Sequence, residues 1–211
     1  MINRELYMEQ ITPFIDKPFV KVITGIRRCG KSVVLRLIRE ELLRRGVSED
    51  HIIYMNFESF EWMDVKEAKA LYTYIREVTK VSGKYYILLD EIQEVTDWEK
   101  AVNAFLVDLD ADIYVTGSNS RLLSSEFSTY LAGRYVAFHI MTLSFREYLL
   151  FHNVPLAISA SDRKAEFLKY LRMGGFPAIH TANYDYNAIY KIVYDIYSCL
   201  LYTSPSPRDR G

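Results

Sequence analysis

The chain has 211 residues, half of them hydrophobic and 25 % charged, with 26 Lys and Arg against 27 Asp and Glu for a formal net charge of -1. That balance fits one globular domain, or one and a fraction, and excludes an electrostatic nucleic-acid binder of the histone kind. No apolar run reaches transmembrane length, the start M-I-N-R-E-L-Y is no signal peptide, and two cysteines make no disulfide framework. A cytoplasmic protein without membrane contact is expected.

Leu6 to Ile15, an apolar stretch with Pro13 inside it and Pro18 after it, reads as a short helix leading into the first strand, with Tyr7 and Phe14 as packing residues or base-stacking candidates. Phe19–Thr24 is an apolar, β-branched strand. Behind it stands Gly25, four residues, then Gly30, Lys31 and Ser32, the pattern G-x-x-x-x-G-K-[ST]. Such a loop curls its N–H groups inward at phosphate oxygens, and the helix that follows adds its N-terminal partial charge. The nucleotide-binding set is therefore Gly25, Ile26, Arg27, Arg28, Cys29, Gly30, Lys31, Ser32 and Val33. Lys31 is placed on the β- and γ-phosphates and Ser32 on Mg²⁺. Val34, Leu37, Ile38 and Leu42 recur at helical spacing, and Arg44-Arg45-Gly46 ends the helix.

A second strand, His51–Phe57, completes a βαβ unit, with Glu58 at its ligand-facing end. A helix over Val65–Lys80 follows. Then comes Tyr85-Tyr86-Ile87-Leu88-Leu89-Asp90-Glu91, a continuous apolar strand closed by two carboxylates. Continuous apolarity suits a central parallel strand, and acids at its end need a cation if they are buried. Asp90 is read as a Mg²⁺ ligand through water, and Glu91 as the group that orients and polarises the attacking water. A glutamate directly after the aspartate favours hydrolysis by water over transfer to a small-molecule acceptor.

Thr96 to Glu99 reads as a capping box opening a helix with Trp98, Val102, Phe105, Leu106 and Leu109 inward. Strand Ile113–Thr116 runs into Gly117-Ser118-Asn119-Ser120. Ser118 and Asn119 are the γ-phosphate sensor candidates, or else a polar turn. Leu122–Leu131 is expected as a helix and Tyr135–Met141 as a fifth strand with Val136, Phe138 and Ile140 on one face. Arg134, just before it, is either a finger towards a neighbouring subunit's γ-phosphate or a surface arginine. The expected core, residues 1–143, is an α/β three-layer sandwich on a five-stranded, mainly parallel sheet. Residues 144–198 read as a lid or the start of a second domain, with a capping box at Ser144–Glu147 and helices Phe145–His152, Asp162–Met173 and Tyr186–Ser198.

The segments Thr24–Ser32, Tyr86–Gln93, Thr116–Leu123, Leu131–Tyr135, Leu143–Tyr148 and Gly174–Pro177 together resemble the AAA-type ATPases of bacteria and archaea whose ATPase domain precedes a C-terminal domain of unknown function. The resemblance spans about Arg4 to Tyr197 and implies ATP and Mg²⁺ as ligands, with Lys31, Ser32, Asp90, Glu91 and Ser118/Asn119 in the roles given above. The tail, residues 199–211, resembles the translation of a transposase-type sequencing adaptor, so the natural sequence is expected to depart near Ser198 and the chain to be a C-terminally truncated fragment. The expected activity is Mg²⁺-dependent ATP hydrolysis that moves the C-terminal part. A nucleotide-gated switch with little turnover and a small-molecule kinase are the alternatives. A homo-oligomer and an unknown protein partner are open. Nucleic acid is open through Arg27, Arg28, Arg36, Arg39, Arg44 and Arg45, although Arg36 and Arg39 fit a solvated helix face better.

Overall fold

A computed structural model describes residues 4–117, 122, 131–181 and 186–203. Ser118, Asn119, most of the expected helix Leu122–Leu131 and the tail from Ser204 lie outside the described residues. Two compact units are present. One comprises Arg4–Gly25 with Lys31–Ile140; the other takes in Ile26–Gly30 and the chain from Met141.

The first unit holds five strands: β1 Val20–Gly25, β2 Ile52–Asn56, β3 Tyr85–Asp90, β4 Ala111–Gly117 and β5 Tyr135–Ile140. Every pairing is parallel, in the order β2-β3-β4-β1-β5. β4 is thus inserted between β1 and β3. The helices are α1 Glu5–Ile11, α2 Lys31–Arg44, α3 Ala68–Val78 and α4 Trp98–Asp108. Strands β1 and β3 are buried along their whole length, as the unbroken apolar runs require when both faces of a parallel sheet are covered. The edge strands β2 and β5 are only partly buried, and β5 alternates as expected, with Phe138 and Ile140 inward.

Strand periodicity sorts the layers. Val20, Val22, Ile87, Leu89, Ile113 and Val115 point into one core with Leu71 and Ile75 of α3 and Val102 and Phe105 of α4. The opposite face carries Lys21, Ile23, Tyr86, Leu88, Asp90, Asp112, Tyr114 and Thr116, and α2 packs on β1, β3 and β4. Burying each such Leu, Ile or Phe contributes about 1.5–3 kcal/mol, so the two faces supply the main drive for this unit.

One expectation changes. The capping box at Thr96 does not form: the N-cap is Asp97 in a left-handed conformation (φ 57°), with no side-chain cap bond. Thr96 is instead drawn into a parallel bridge with Glu67, its N–H donating to Lys66 O at 2.7 Å. Tyr7 is buried under the Arg4 guanidinium, and Phe14 meets Phe138 edge-on at 5.6 Å, contacts that fit the packing reading of both.

The second unit contains α5 Phe145–Phe151, α6 Ala160–Met173 and α7 Tyr186–Thr203. The Ser144–Glu147 capping box is complete. Helix α6 starts two residues earlier than expected because the Ser159 hydroxyl accepts the Asp162 N–H. Helix α7 continues past Ser198 to Thr203, into the expected tail. Phe176, Ile179, Ile189 and Ile196 form a small core. In the Gly-Gly-Phe-Pro turn, Gly175 O accepts from Leu143 N at 2.7 Å, and a Cβ on Gly175 would stand 2.5 Å from Leu143 O, so no larger residue fits.

Candidate nucleotide site

Three strand ends of the first unit bring the predicted charges together. The insertion of β4 sets Thr116 between the end of β1, which leads to Lys31, and the end of β3, which carries Asp90 and Glu91. Lys31 is the first residue of α2 and is buried. Its Nζ stands 3.2 Å from Glu91 Oε1 and donates to Gly25 O at 3.5 Å. Ser32 follows in the first turn of α2, partly exposed, as is Val33.

Asp90 is fully buried. Thr116 donates its hydroxyl to Oδ1, and Tyr54 donates to Oδ2 at 3.0 Å. Burial, with the Asp90 charge and hydrogen bond behind it, raises the Tyr54 phenol well above its usual value. Among the described residues no ammonium or guanidinium pairs with Asp90. A buried carboxylate held only by hydroxyls is costly unless a cation joins it. The donor set therefore fits a hard divalent ion with oxygen ligands.

Glu91 adopts φ 54° and ψ 48°, a left-handed conformation uncommon outside glycine. Its N–H donates to Thr116 Oγ1 at 3.0 Å, so one hydroxyl bridges both acids. Gln93 Nε2 donates to Glu91 Oε2 at 2.6 Å. The Gln93 carbonyl oxygen is buried with no hydrogen-bond partner among the described residues, and a Cβ on Gly117 would sit 2.1 Å from it.

The structure thus brings Gly25, Lys31, Asp90 and Glu91 together. The loop residues Ile26, Arg27, Arg28, Cys29 and Gly30 fall in the other unit. There Cys29 is buried and donates its N–H to Ile26 O at 3.2 Å, while Arg28 (φ 66°) and Gly30 (φ 106°) are left-handed. Arg134 is not brought to the site in its own chain. It precedes β5 at the opposite end of the sheet, is exposed, and donates to Asn103 Oδ1 at 3.0 Å. Glu58 is exposed. The arginines of α2 and Arg45 just after it are engaged locally: Arg39 with Glu49, Arg44 and Arg45 with Glu41, and Arg36 with Ser32 O.

Sequence reading missed Thr116, Tyr54 and Gln93. Parity gave a signal for Thr116: Asp112, Tyr114 and Thr116 share one face of β4, the face on which Asp90 lies in β3. Tyr54 and Gln93 are set by strand order and by the turn after Glu91, which a single sequence does not display.

Residues 17–149, more than half of the chain, match the family described as AAA domain. The chain is 45 % identical over 184 residues to an uncharacterized protein of Haemophilus influenzae, covering 87 % of this chain and 46 % of that protein. It is 35 % identical over 184 residues to an uncharacterized protein of Methanocaldococcus jannaschii, covering 85 % and 39 %. The chain thus spans less than half the length of the curated relatives it matches. Among solved structures, a Walker-type ATPase of Pyrococcus abyssi superposes with a TM-score of 0.59 at 14 % identity, covering 95 % of this chain and 73 % of that one. AMPPCP-bound DnaA from Aquifex aeolicus superposes at 0.53 and 15 % identity, covering 92 % and 62 %. Both share the α/β fold of P-loop NTPases. The chain belongs to the AAA-domain family and has the fold of an AAA-type P-loop ATPase.

Proposed function

We propose that the chain binds ATP and hydrolyses it to ADP and phosphate. The observation that carries this reading is the meeting of Lys31 with Glu91 beside a fully buried Asp90 that has no counter-cation among the described residues. Lys31 neutralises the β- and γ-phosphates. Asp90 and Ser32 would hold Mg²⁺, which when bound there screens phosphate charge and draws electron density from the γ-phosphoryl group. Glu91 accepts a hydrogen bond from water and aims its oxygen at the γ-phosphorus. The water oxygen bonds to phosphorus as the bond to the β–γ bridging oxygen breaks, and ADP leaves with that electron pair. The water proton passes to the Glu91 carboxylate and then to solvent. Thr116 fixes both acids by its single hydroxyl, and sensing of the γ-phosphate stays with Ser118 or Asn119.

A second reading, a nucleotide-gated switch with little turnover, is favoured by the Lys31–Glu91 pair itself, since each group occupies the other until phosphate separates them. In either case the second unit responds to nucleotide state, and the regions that the longer relatives possess supply the partner. In an oligomer Arg134 would serve a neighbouring copy. Phosphate release from ATP, measured with Mg²⁺ for the wild type and Glu91→Gln, separates the two readings. Hydrolysis predicts measurable turnover that falls by about 100-fold or more with nucleotide binding intact. A wild type that binds but does not turn over selects the switch.

A further inference from the structure

We propose that Gln93 is a positioning residue: its side-chain amide is the pivot on which the Glu91 carboxylate turns when phosphate displaces it from Lys31. This rests on the hydrolysis reading. The two Glu91 oxygens are held by different groups, Oε1 by Lys31 at 3.2 Å and Oε2 by Gln93 Nε2 at 2.6 Å. An incoming phosphate competes most strongly for the charged Lys31 ammonium, while the neutral Gln93 amide is already committed to Oε2. The Oε2 bond survives, and the freed oxygen swings about it instead of relaxing into solvent.

Three features keep the amide in place. Glu91 is left-handed, which turns the 3₁₀ segment Ile92–Glu94 back over its own side chain. The Gln93 carbonyl oxygen is buried without a hydrogen-bond partner among the described residues, against the Cα of Gly117, where a Cβ would meet it at 2.1 Å and Leu122 Cγ at 2.7 Å. Turning the amide over would aim that carbonyl at the Glu91 carboxylate, so only the present orientation donates to it. A buried, unsatisfied carbonyl is retained here because the opposite end of the same amide is committed to a charged acceptor. Gly117 is required for the same reason: any side chain there would evict the amide.

Gln93→Met keeps length and removes the donor; Gln93→Asn keeps an amide one methylene too short. Both are expected to lower kcat by roughly 10- to 100-fold while the affinity for a fluorescent ATP analogue stays within about twofold. In a Glu91→Gln background, Gln93→Met should cost nothing further, which a merely structural role would not reproduce. A readout independent of turnover is the Gln93 side-chain ¹⁵N–¹H₂ resonance of the nucleotide-free chain, identified by its absence in Gln93→Met. It should be displaced from the free-amide position and return there in Glu91→Ala. Absent turnover in the wild type overturns the hydrolysis reading, and undiminished turnover in Glu91→Gln overturns the role given there to Glu91. Turnover lost in Glu91→Gln but kept in both Gln93 variants overturns this inference alone. An amide resonance indifferent to Glu91→Ala overturns it whatever the turnover.

Discussion

The two ends of one sheet face each bury a lysine and an aspartate, and they treat them in opposite ways. At the N-terminal end Lys21 and Asp112 are directly paired and almost wholly inaccessible. Asp112 also accepts from Asp16 N at 2.9 Å and Tyr114 OH at 2.8 Å, while Lys21 donates to Lys17 O at 2.9 Å. Asp16 in turn is tied to Tyr86 and Lys84, each at 2.9 Å. Burial lowers the Lys21 ammonium and Asp112 opposes that. This cluster closes on itself and clamps the turn before β1 to the sheet. Four residues further along β4, about 13 Å away, Thr116 stands among Asp90, Glu91 and Lys31. There the buried aspartate has hydroxyls but no cation among the described residues, one acid is left-handed, and an amide oxygen is unsatisfied. A closed network holds a fold together. An open one, which the protein supports at a cost, is where a charged ligand completes the electrostatics.

Substitutions at the two aspartates should therefore differ in sign. Asp112→Ala strands a buried ammonium and is expected to cost about 3–5 kcal/mol in urea denaturation, with most of it recovered by the pair Lys21→Met/Asp112→Leu. A loss under about 1 kcal/mol would mean that the N-terminal cluster is not closed. Asp90→Asn removes a buried charge that has no counter-cation among the described residues and should raise stability by about 1 kcal/mol, while the Mg²⁺ dependence of nucleotide affinity disappears. Equal destabilisation by both substitutions would erase the contrast.

A further effect is on the alkaline limb. Tyr54 and Tyr114 both donate to buried carboxylates, and burial first, then the adjacent aspartate, raises each phenol above its usual 10.0. A raised folded value means that the folded state keeps a proton which the unfolded state has lost. The stability from these bonds is fully present below pH 10 and is lost as pH rises beyond it, by at most about 1.4 kcal/mol per pH unit for each group. Tyr114→Phe and Tyr54→Phe should each flatten the slope of urea midpoint against pH between 9 and 11. In Asp90→Asn the Tyr54 share alone should shrink. A slope indifferent to all three would show that neither phenol is held by its aspartate.

Much of this molecule was legible before its structure. The strand ending in Asp90-Glu91 is apolar throughout because it is central, and the loop before Lys31 has one recognised chemistry, so fold class and acid pair followed from residue type and spacing. What stayed hidden depends on neighbours that sequence does not order. Thr116 acts because β4 lies between β1 and β3, and Tyr54 because β2 flanks β3. The Thr96 cap failed as an expectation because a tertiary bridge to Glu67 outweighed a local hydrogen bond. Arg134 was legible as a residue just before β5, which sets it at the end of the sheet away from Lys31 of its own chain and leaves both of its readings, finger to a neighbouring copy or surface arginine, open.

The central claim is that the open end of the sheet is a nucleotide site. Its most direct test is titration of a fluorescent ATP analogue, with and without Mg²⁺, on the wild type and on Lys31→Ala. The expected result is saturable, Mg²⁺-dependent binding that weakens by about 100-fold or more in the variant, with the fold of both confirmed by circular dichroism. Equal binding by the two folded proteins, or none by the wild type, would contradict it.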